Sequence, residues 1–177
     1  MAVLSFRLAA VADSAEIAAL VNASYRGETS RQGWTTEADL LDGLRVNAGD
    51  LQRLIQPGQD AIASTILLCM IGGEIVATVC LEKIADAAHI GMFAVNPAMQ
   101  GYGIGKQLLA YAESYARQHW VVERFLMHVI SVRHELIAFY ERRGYRRTGV
   151  LEPFPVNPEM WQPKLAALQL ETLEKII

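Results

Sequence analysis

The sequence predicts a mixed α/β domain, a central sheet of about seven strands with about four helices laid across it. Three observations carry that reading. First, β-branched runs alternate with segments of helical period, in the order βααβββαβαββ. Second, two of those runs, STILLCMI (64–71) and EIVATVCLEK (74–83), meet at Gly72-Gly73 and read as an antiparallel hairpin. Third, three glycines at 101, 103 and 105 stand between a strand and a long amphipathic segment. At 177 residues, with 52% hydrophobic and 20% charged residues, the chain reads as one globular domain over 1–177 with no disorder signature.

Taken in order, LSFRLA (4–9) is a first strand. Asp13 and Glu16 have capping-box spacing, and Ile17, Leu20 and Val21 follow on one helical face. YRGETSRQGW (25–34) is polar and reads as a loop. Thr36 and Asp39 repeat the cap spacing ahead of Leu40, Leu41 and Leu44, which predicts a second short helix. A further helical turn, LQRLIQ, ends at Pro57-Gly58. After the hairpin, AHIGMFAV (88–95) is a strand ended by Asn96-Pro97, and the glycine turn leads into a helix carrying Leu108, Leu109, Ala112, Tyr115 and Ala116. RFLMHVI (124–130) is a strand, and RHELIAFYERR a helix stopped by Gly144. YRRTGVL and LAALQLETLEKI close the chain as strands around the loop EPFPVNPEMWQPK (152–164).

Composition narrows the partners. A net charge of −3 argues against nucleic acid and leans toward a small cationic partner. The basic group Arg142, Arg143, Arg146 and Arg147 reads as a solvated face around a turn. No apolar run is long enough for a membrane span, and MAVLSF lacks the features of a signal peptide, so a cytoplasmic protein is expected. With the hairpin turning at Gly72-Gly73, Cys69 faces Val76 and lies too far from Cys80 for a disulfide. Both cysteines are expected to be buried and reduced, and no His/Cys set has metal-ligand spacing.

The glycine turn fits neither of two familiar phosphate loops. Gly101 to Gly105 is one residue short of a P-loop, and Lys106 is followed by Gln107 where a hydroxyl is required. A G-x-G-x-x-G fingerprint begun at Gly101 ends on Lys106, and begun at Gly103 ends on Leu108. Glycines at a helix start still leave bare N–H groups at the positive end of the helix dipole, a place for an anion. A ligand-free turn is the alternative.

With Val95 before it, Gln100-Gly101-Tyr102-Gly103-Ile104-Gly105 resembles the Q/R-x-x-G-x-G/A motif of GNAT-type N-acetyltransferases. ELIAFYERRGY resembles that family's second signature, with Tyr140, Gly144 and Tyr145 in place, and the likeness runs from about His89 to Gly149. The resemblance implies a GNAT-like sheet whose two parallel strands, AHIGMFAV and RFLMHVI, splay apart around acetyl-CoA. It implies a pyrophosphate held by backbone amides of Gln100, Gly101, Tyr102, Gly103, Ile104, Gly105 and Lys106. The pantetheine arm would pair with the backbone along Phe93, Ala94 and Val95, and Tyr140 would protonate the departing CoA sulfur. Where the family often has Asn and Ala, this chain has Arg133 and Leu136, so Arg133 is expected to meet a phosphate instead. The stretch YRGE…GWTTE is also similar to bacterial members of the family.

Acetyl transfer to an amine needs a deprotonated nucleophile, and keeping an amine of pKa about 10.4 neutral near pH 7.4 costs about 4 kcal/mol. It also needs donors for the oxyanion, expected from the backbone near Val95, and a proton for the leaving thiolate. Tyr140 shares a helix face with Arg133, Leu136 and Ile137; a core anchor is its alternative role. Glu37 beside Trp34 is the leading candidate base or amine-recognition residue, against a plain first-turn acid favouring the helix dipole. Glu82, His89, Glu28, Glu152 or a water chain could instead take the proton. The proline-rich loop is either a wall over the acceptor pocket or a plug whose Phe154 and Trp161 close one end of the core. The expected activity is acetylation of a small-molecule or peptide primary amine by direct attack, in a monomer or homodimer; the rival is a non-catalytic acyl-CoA sensor.

Overall fold

The computed structural model describes residues 3–59 and 61–177. Seven strands form the main sheet: β1 (Leu4–Leu8), β3 (Ser64–Ile71), β4 (Glu74–Ile84), β5 (Ala87–Val95), β6 (Arg124–Ile130), β7 (Arg146–Pro153) and β9 (Gln169–Ile176). Their order is β1-β3-β4-β5-β6-β9-β7, with β2 (Leu41–Gly43) and β8 (Trp161–Pro163) paired separately. The helices are α1 (Ser14–Tyr25), α2 (Gly27–Ser30), α3 (Ala48–Ile55), α4 (Ile104–His119) and α5 (His134–Glu141).

β3 and β4 are apolar along nearly their whole length because helices cover both faces. Ile66, Leu68 and Met70 pack with Ile17, Val21 and Tyr25 of α1 and Leu51 of α3. Their neighbours Leu67 and Cys69 pack on the other face with Leu108, Leu109 and Ala112 of α4 and Ile137 and Tyr140 of α5. Period-two alternation therefore serves two cores at once. A second buried network ties α4 to the far end of the sheet: Glu113 accepts from the Tyr145 hydroxyl at 2.8 Å and from Lys175 Nζ at 2.7 Å. Among the described residues no helix is long and apolar enough to cross a membrane.

Several local expectations are corrected. No helix forms over residues 36–44: Thr36 Oγ1 accepts from the Ala38 N–H at 3.1 Å, but the turn it starts ends at Leu41, where strand pairing begins. Thr36 Oγ1 bonds Ser30 Oγ at 2.6 Å, Asp39 accepts from Arg31 at 2.8 Å, and Leu41–Gly43 pairs with β8 inside the proline-rich loop. Asp13 does not cap α1; its carboxylate accepts from the Ala10 N–H and from Arg7, and a 3-10 turn (Val11–Asp13) precedes the helix. The polar segment after Tyr25 contains the one-turn helix α2. A bulge after Cys69 makes Ala77, not Val76, its partner, while Cys80 pairs with Ile66. The two thiols are free, buried and on opposite faces of the sheet.

Candidate active site

Two features of β5 open the sheet. Its parallel pairing with β6 spans only Ala87↔Arg124 to His89↔Leu126, after which the strands part. On its other side the register with β4 jumps between Thr78↔Ala94 and Cys80↔Gly91, a bulge at which Met92 adopts φ 46°. A non-glycine residue in that region is strained, and bulges re-aim the backbone beside functional sites. Two adjoining cavities fill the gap, with Phe93 and Leu136 lining both.

The first cavity, about 310 Å³, lies over the glycine turn and is lined by Gln100, Gly101, Gly103, Ile104, Gly105 and Lys106. Gly101 (φ 88°) and Gly103 (φ 81°) sit where side chains are disfavoured, and a Cβ on either would project into open space. The first intrahelical bond of α4 runs from Gln107 N–H to Gly103 O at 3.2 Å. Among the described residues, the N–H groups from Gly101 to Lys106 make no hydrogen bond within the protein. Six consecutive donors at the positive end of a 16-residue helix form a cradle suited to a diphosphate. The Tyr102 side chain turns outward.

Gln100 braces this turn. Its side chain donates to Thr35 Oγ1 at 2.8 Å and Val95 O at 3.1 Å, and accepts from the Trp34 N–H at 2.9 Å. Gly33 is required for that contact, since a Cβ there would lie 2.6 Å from the Gln100 amide. Trp34 leans on Phe139 in this cavity. It is thus separated from Glu37, which lines the other one.

The second cavity, about 360 Å³, contains the Tyr140 side chain between β5, β6 and the loops from residues 26–45 and 154–161. Tyr140 is 5% exposed and packs near Phe93, Phe139 and Tyr145. Its hydroxyl makes no hydrogen bond among the described residues. Burial pushes the phenol well above its ordinary range, assisted by Tyr25 and opposed by Arg133 and Arg45, so it keeps its proton at neutral pH.

Glu37 is 2% exposed and enclosed by arginines. Arg26 Nη1 donates to Oε2 at 2.7 Å, and Arg133 Nη1 and Arg45 Nη1 donate to Oε1 at 2.9 and 3.3 Å. A base must present a free lone-pair direction to the incoming proton; three of the roughly four on this carboxylate already accept charge-assisted bonds, which leaves one on Oε2. The helix-dipole alternative fails, since no helix starts there. Arg133 heads α5, but its side chain points to Glu37 and the Thr35 carbonyl and borders the Tyr140 cavity, not the glycine turn. The opposite charge on Glu37 draws it away from the expected phosphate contact.

Tyr25 completes the floor: its hydroxyl donates to Phe93 O, and the guanidiniums of Arg45 and Arg133 lie 4.2 and 5.7 Å from its ring centre. The carbonyl of Val95 accepts from Ser24 Oγ at 3.2 Å as well as from Gln100. A ligand pairing along Phe93–Val95 therefore meets carbonyls already engaged. Tyr25, Arg26 and Arg45 join the cavity from outside the sequence motifs. Tyr25 continues the Ile17–Val21 stripe at four-residue spacing and Arg26 lies in the YRGE stretch, whereas Arg45 carries no local signal.

Glu82 and His89 lie on the same cavity wall, with Oε1 and Nδ1 3.9 Å apart. That distance is longer than a hydrogen bond. The neighbouring imidazole holds Glu82 below its usual range against the cost of burial. The His128 ring lies 4.8 Å from that of His89, tilted by 37°, and its pKa is held below the ordinary value by burial, then by that neighbour. Glu28 is an exposed partner of Arg31, and Glu152 is exposed on β7. Phe154 and Trp161 both line the cavity and pack with Leu41 and Ile130, so the proline-rich loop is wall and plug together.

Comparison with known proteins agrees with this fold. No curated protein sequence matches the chain. Among solved structures, an N-acetyltransferase from Staphylococcus aureus superposes with TM-score 0.73 at 17% identity, covering 99% of this chain and 98% of that one. A ribosomal-protein-alanine N-acetyltransferase from Brucella melitensis gives TM-score 0.72 at 18% identity over 98% and 99% of the two chains. A spermidine N-acetyltransferase chimera from Vibrio cholerae gives 0.70 at 16% over 98% and 95%. At such identities the likeness carries the fold and leaves the acceptor open. The sequence matches the acetyltransferase (GNAT) family over residues 30–145, about two thirds of its length, from the Gln100-braced loop through both signatures, and the chain belongs to that family.

Proposed function

We propose that this protein transfers an acetyl group from acetyl-CoA to the primary amine of a small molecule or peptide by direct attack, with Tyr140 as general acid. The observation that carries this reading is the row of unpaired amides from Gly101 to Lys106 opening into a cavity that adjoins the buried, protonated phenol. Acetyl-CoA is the family's usual donor, and when bound it supplies the thioester. The chain supplies the rest. Amides 101–106 take the diphosphate charge, and the bulge at Met92–Phe93 exposes backbone to the acyl group. Tyr140 Oη holds the proton that the leaving thiolate requires. The Glu82–His89 pair, on the wall of the same cavity, takes the proton from the amine. Glu37 is a positioning residue that orders three arginines.

Calorimetric titration with acetyl-CoA tests the cradle. Wild type should bind, and Gly103→Val, which forces a β-branched side chain into a left-handed conformation beside the amides, should weaken binding by about tenfold or more. Equal affinity in the two proteins refutes the reading. Thiol release with an amine panel then separates an enzyme from a sensor, which releases none.

A further inference from the structure

The charge in the Tyr140 cavity is unbalanced. Arg26, Arg45 and Arg133 all line it, and one carboxylate, Glu37, answers all three. The other acid on its wall, Glu82, is occupied with His89. Each guanidinium carries five N–H donors in a fixed fork. Against that capacity, Arg26 and Arg45 each make one side-chain hydrogen bond and Arg133 makes two, among the described residues. Arg26 Nε is buried without a partner, on a side chain 6% exposed, and such a donor is costly unless a ligand or water meets it. Arg45 is 30% exposed, with its guanidinium 4.2 Å from the Tyr25 ring centre. Arg45 and Arg133 line the same cavity as the Tyr140 side chain, so the surplus positive charge shares that space with the expected reaction centre.

From this arrangement we infer that the acceptor is an amine that also carries an anionic group a few bonds away, a carboxylate or phosphonate, which Arg45 and its neighbours receive while the amine faces the thioester. The inference rests on the acetyltransferase reading and names the acceptor class within it. The lean of the overall composition toward a cationic partner does not extend to this cavity. A polyamine would bring further positive charge against three guanidiniums, and like charges brought together in a partly desolvated site repel strongly. The volume of about 360 Å³ matches a small acceptor such as an amino acid.

The test uses matched pairs on the full chain: α-amino acids against their α-amides, 2-aminoethylphosphonate against ethanolamine, and spermidine as the cationic arm. With thiol release as readout, the anionic member of each productive pair should be preferred in kcat/KM by about tenfold or more, the worth of one charge-assisted hydrogen bond. The carboxylate and phosphonate arms tell the two anions apart. In Arg45→Gln that preference should fall to about twofold or less, with acetyl-CoA affinity unchanged; R45K, which keeps charge without the fork, should lie between. Preference for amides, ethanolamine or spermidine overturns the inference while leaving the acetyltransferase reading intact, and so does a preference that survives R45Q. Wild-type pairs decide this even where a variant does not fold. Absence of thiol release with every amine counts against the acetyltransferase reading itself. Calorimetry then decides the anion site separately: heat with the acids but not their amides in wild type supports it, and heat with neither overturns it.

Discussion

Glu37→Gln separates a structural carboxylate from a catalytic base. The change keeps volume and shape but removes the one negative charge shared by Arg26, Arg45 and Arg133, which approach its oxygens to 2.7, 3.3 and 2.9 Å. Glutamine also turns one acceptor into an NH2 group that faces guanidinium donors. Removing one partner of a buried ion pair costs about 3–5 kcal/mol. Arg26 and Arg133 are nearly sealed, whereas Arg45 is 30% exposed and hydrated in part, so the lower end, about 3 kcal/mol, applies. For a domain of this size that is a fall in Tm of about 6–12 °C. Urea denaturation followed by circular dichroism, with thermal melts alongside, measures it. A base acting from this position would give the opposite pattern, a protein of wild-type stability without turnover. A loss below about 1 kcal/mol would refute the ion-pair account of Glu37.

Two further outcomes follow from buried titratable groups. Burial pushes the thiols of Cys69 and Cys80 up to about 11 and about 12, so at pH 8 about one in a thousand or fewer is thiolate. Native protein should resist thiol reagents, and both sulfurs should label in urea; rapid labelling of the folded state contradicts this. Glu171 is buried on β9 and held below the usual carboxylate range by the Arg147 guanidinium, which donates to it at 2.8 Å. Its folded value is depressed, so its contribution is present above the unfolded value of about 4.3 and is lost as pH falls through the folded one. E171Q should therefore flatten the acid limb of stability below about pH 4.3, and parallel curves for wild type and variant would refute that.

What the sequence disclosed depended on how local each signal was. β3, β4 and β5 are apolar runs bounded by Gly72-Gly73 and Asn96-Pro97, and every residue needed to recognise them lies within the run. The glycines at 101, 103 and 105 state a backbone requirement directly, and α4 shows its buried face at helical spacing. Over segment 36–44 the cap spacing yields only a single turn, because Asp39 bonds Arg31 and Leu41–Gly43 pairs with β8. Tertiary partners outweighed a local preference worth about 1 kcal/mol. The arginine cluster was hidden for a related reason. Residues 26, 37, 45 and 133 come from α1's end, two loops and the start of α5, and only the fold brings them to one cavity. Arg133 stands out in the sequence as a departure from the family pattern, but its contacts depend on Glu37, 96 residues away.

The central claim, an unpaired amide row holding the donor while a buried phenol protonates the leaving sulfur, is tested most directly by Tyr140→Phe with turnover and donor affinity measured on the same preparation. Losing one hydroxyl should lower kcat by about 10²–10⁴-fold while acetyl-CoA affinity stays within about twofold. Full turnover in Y140F would contradict the account.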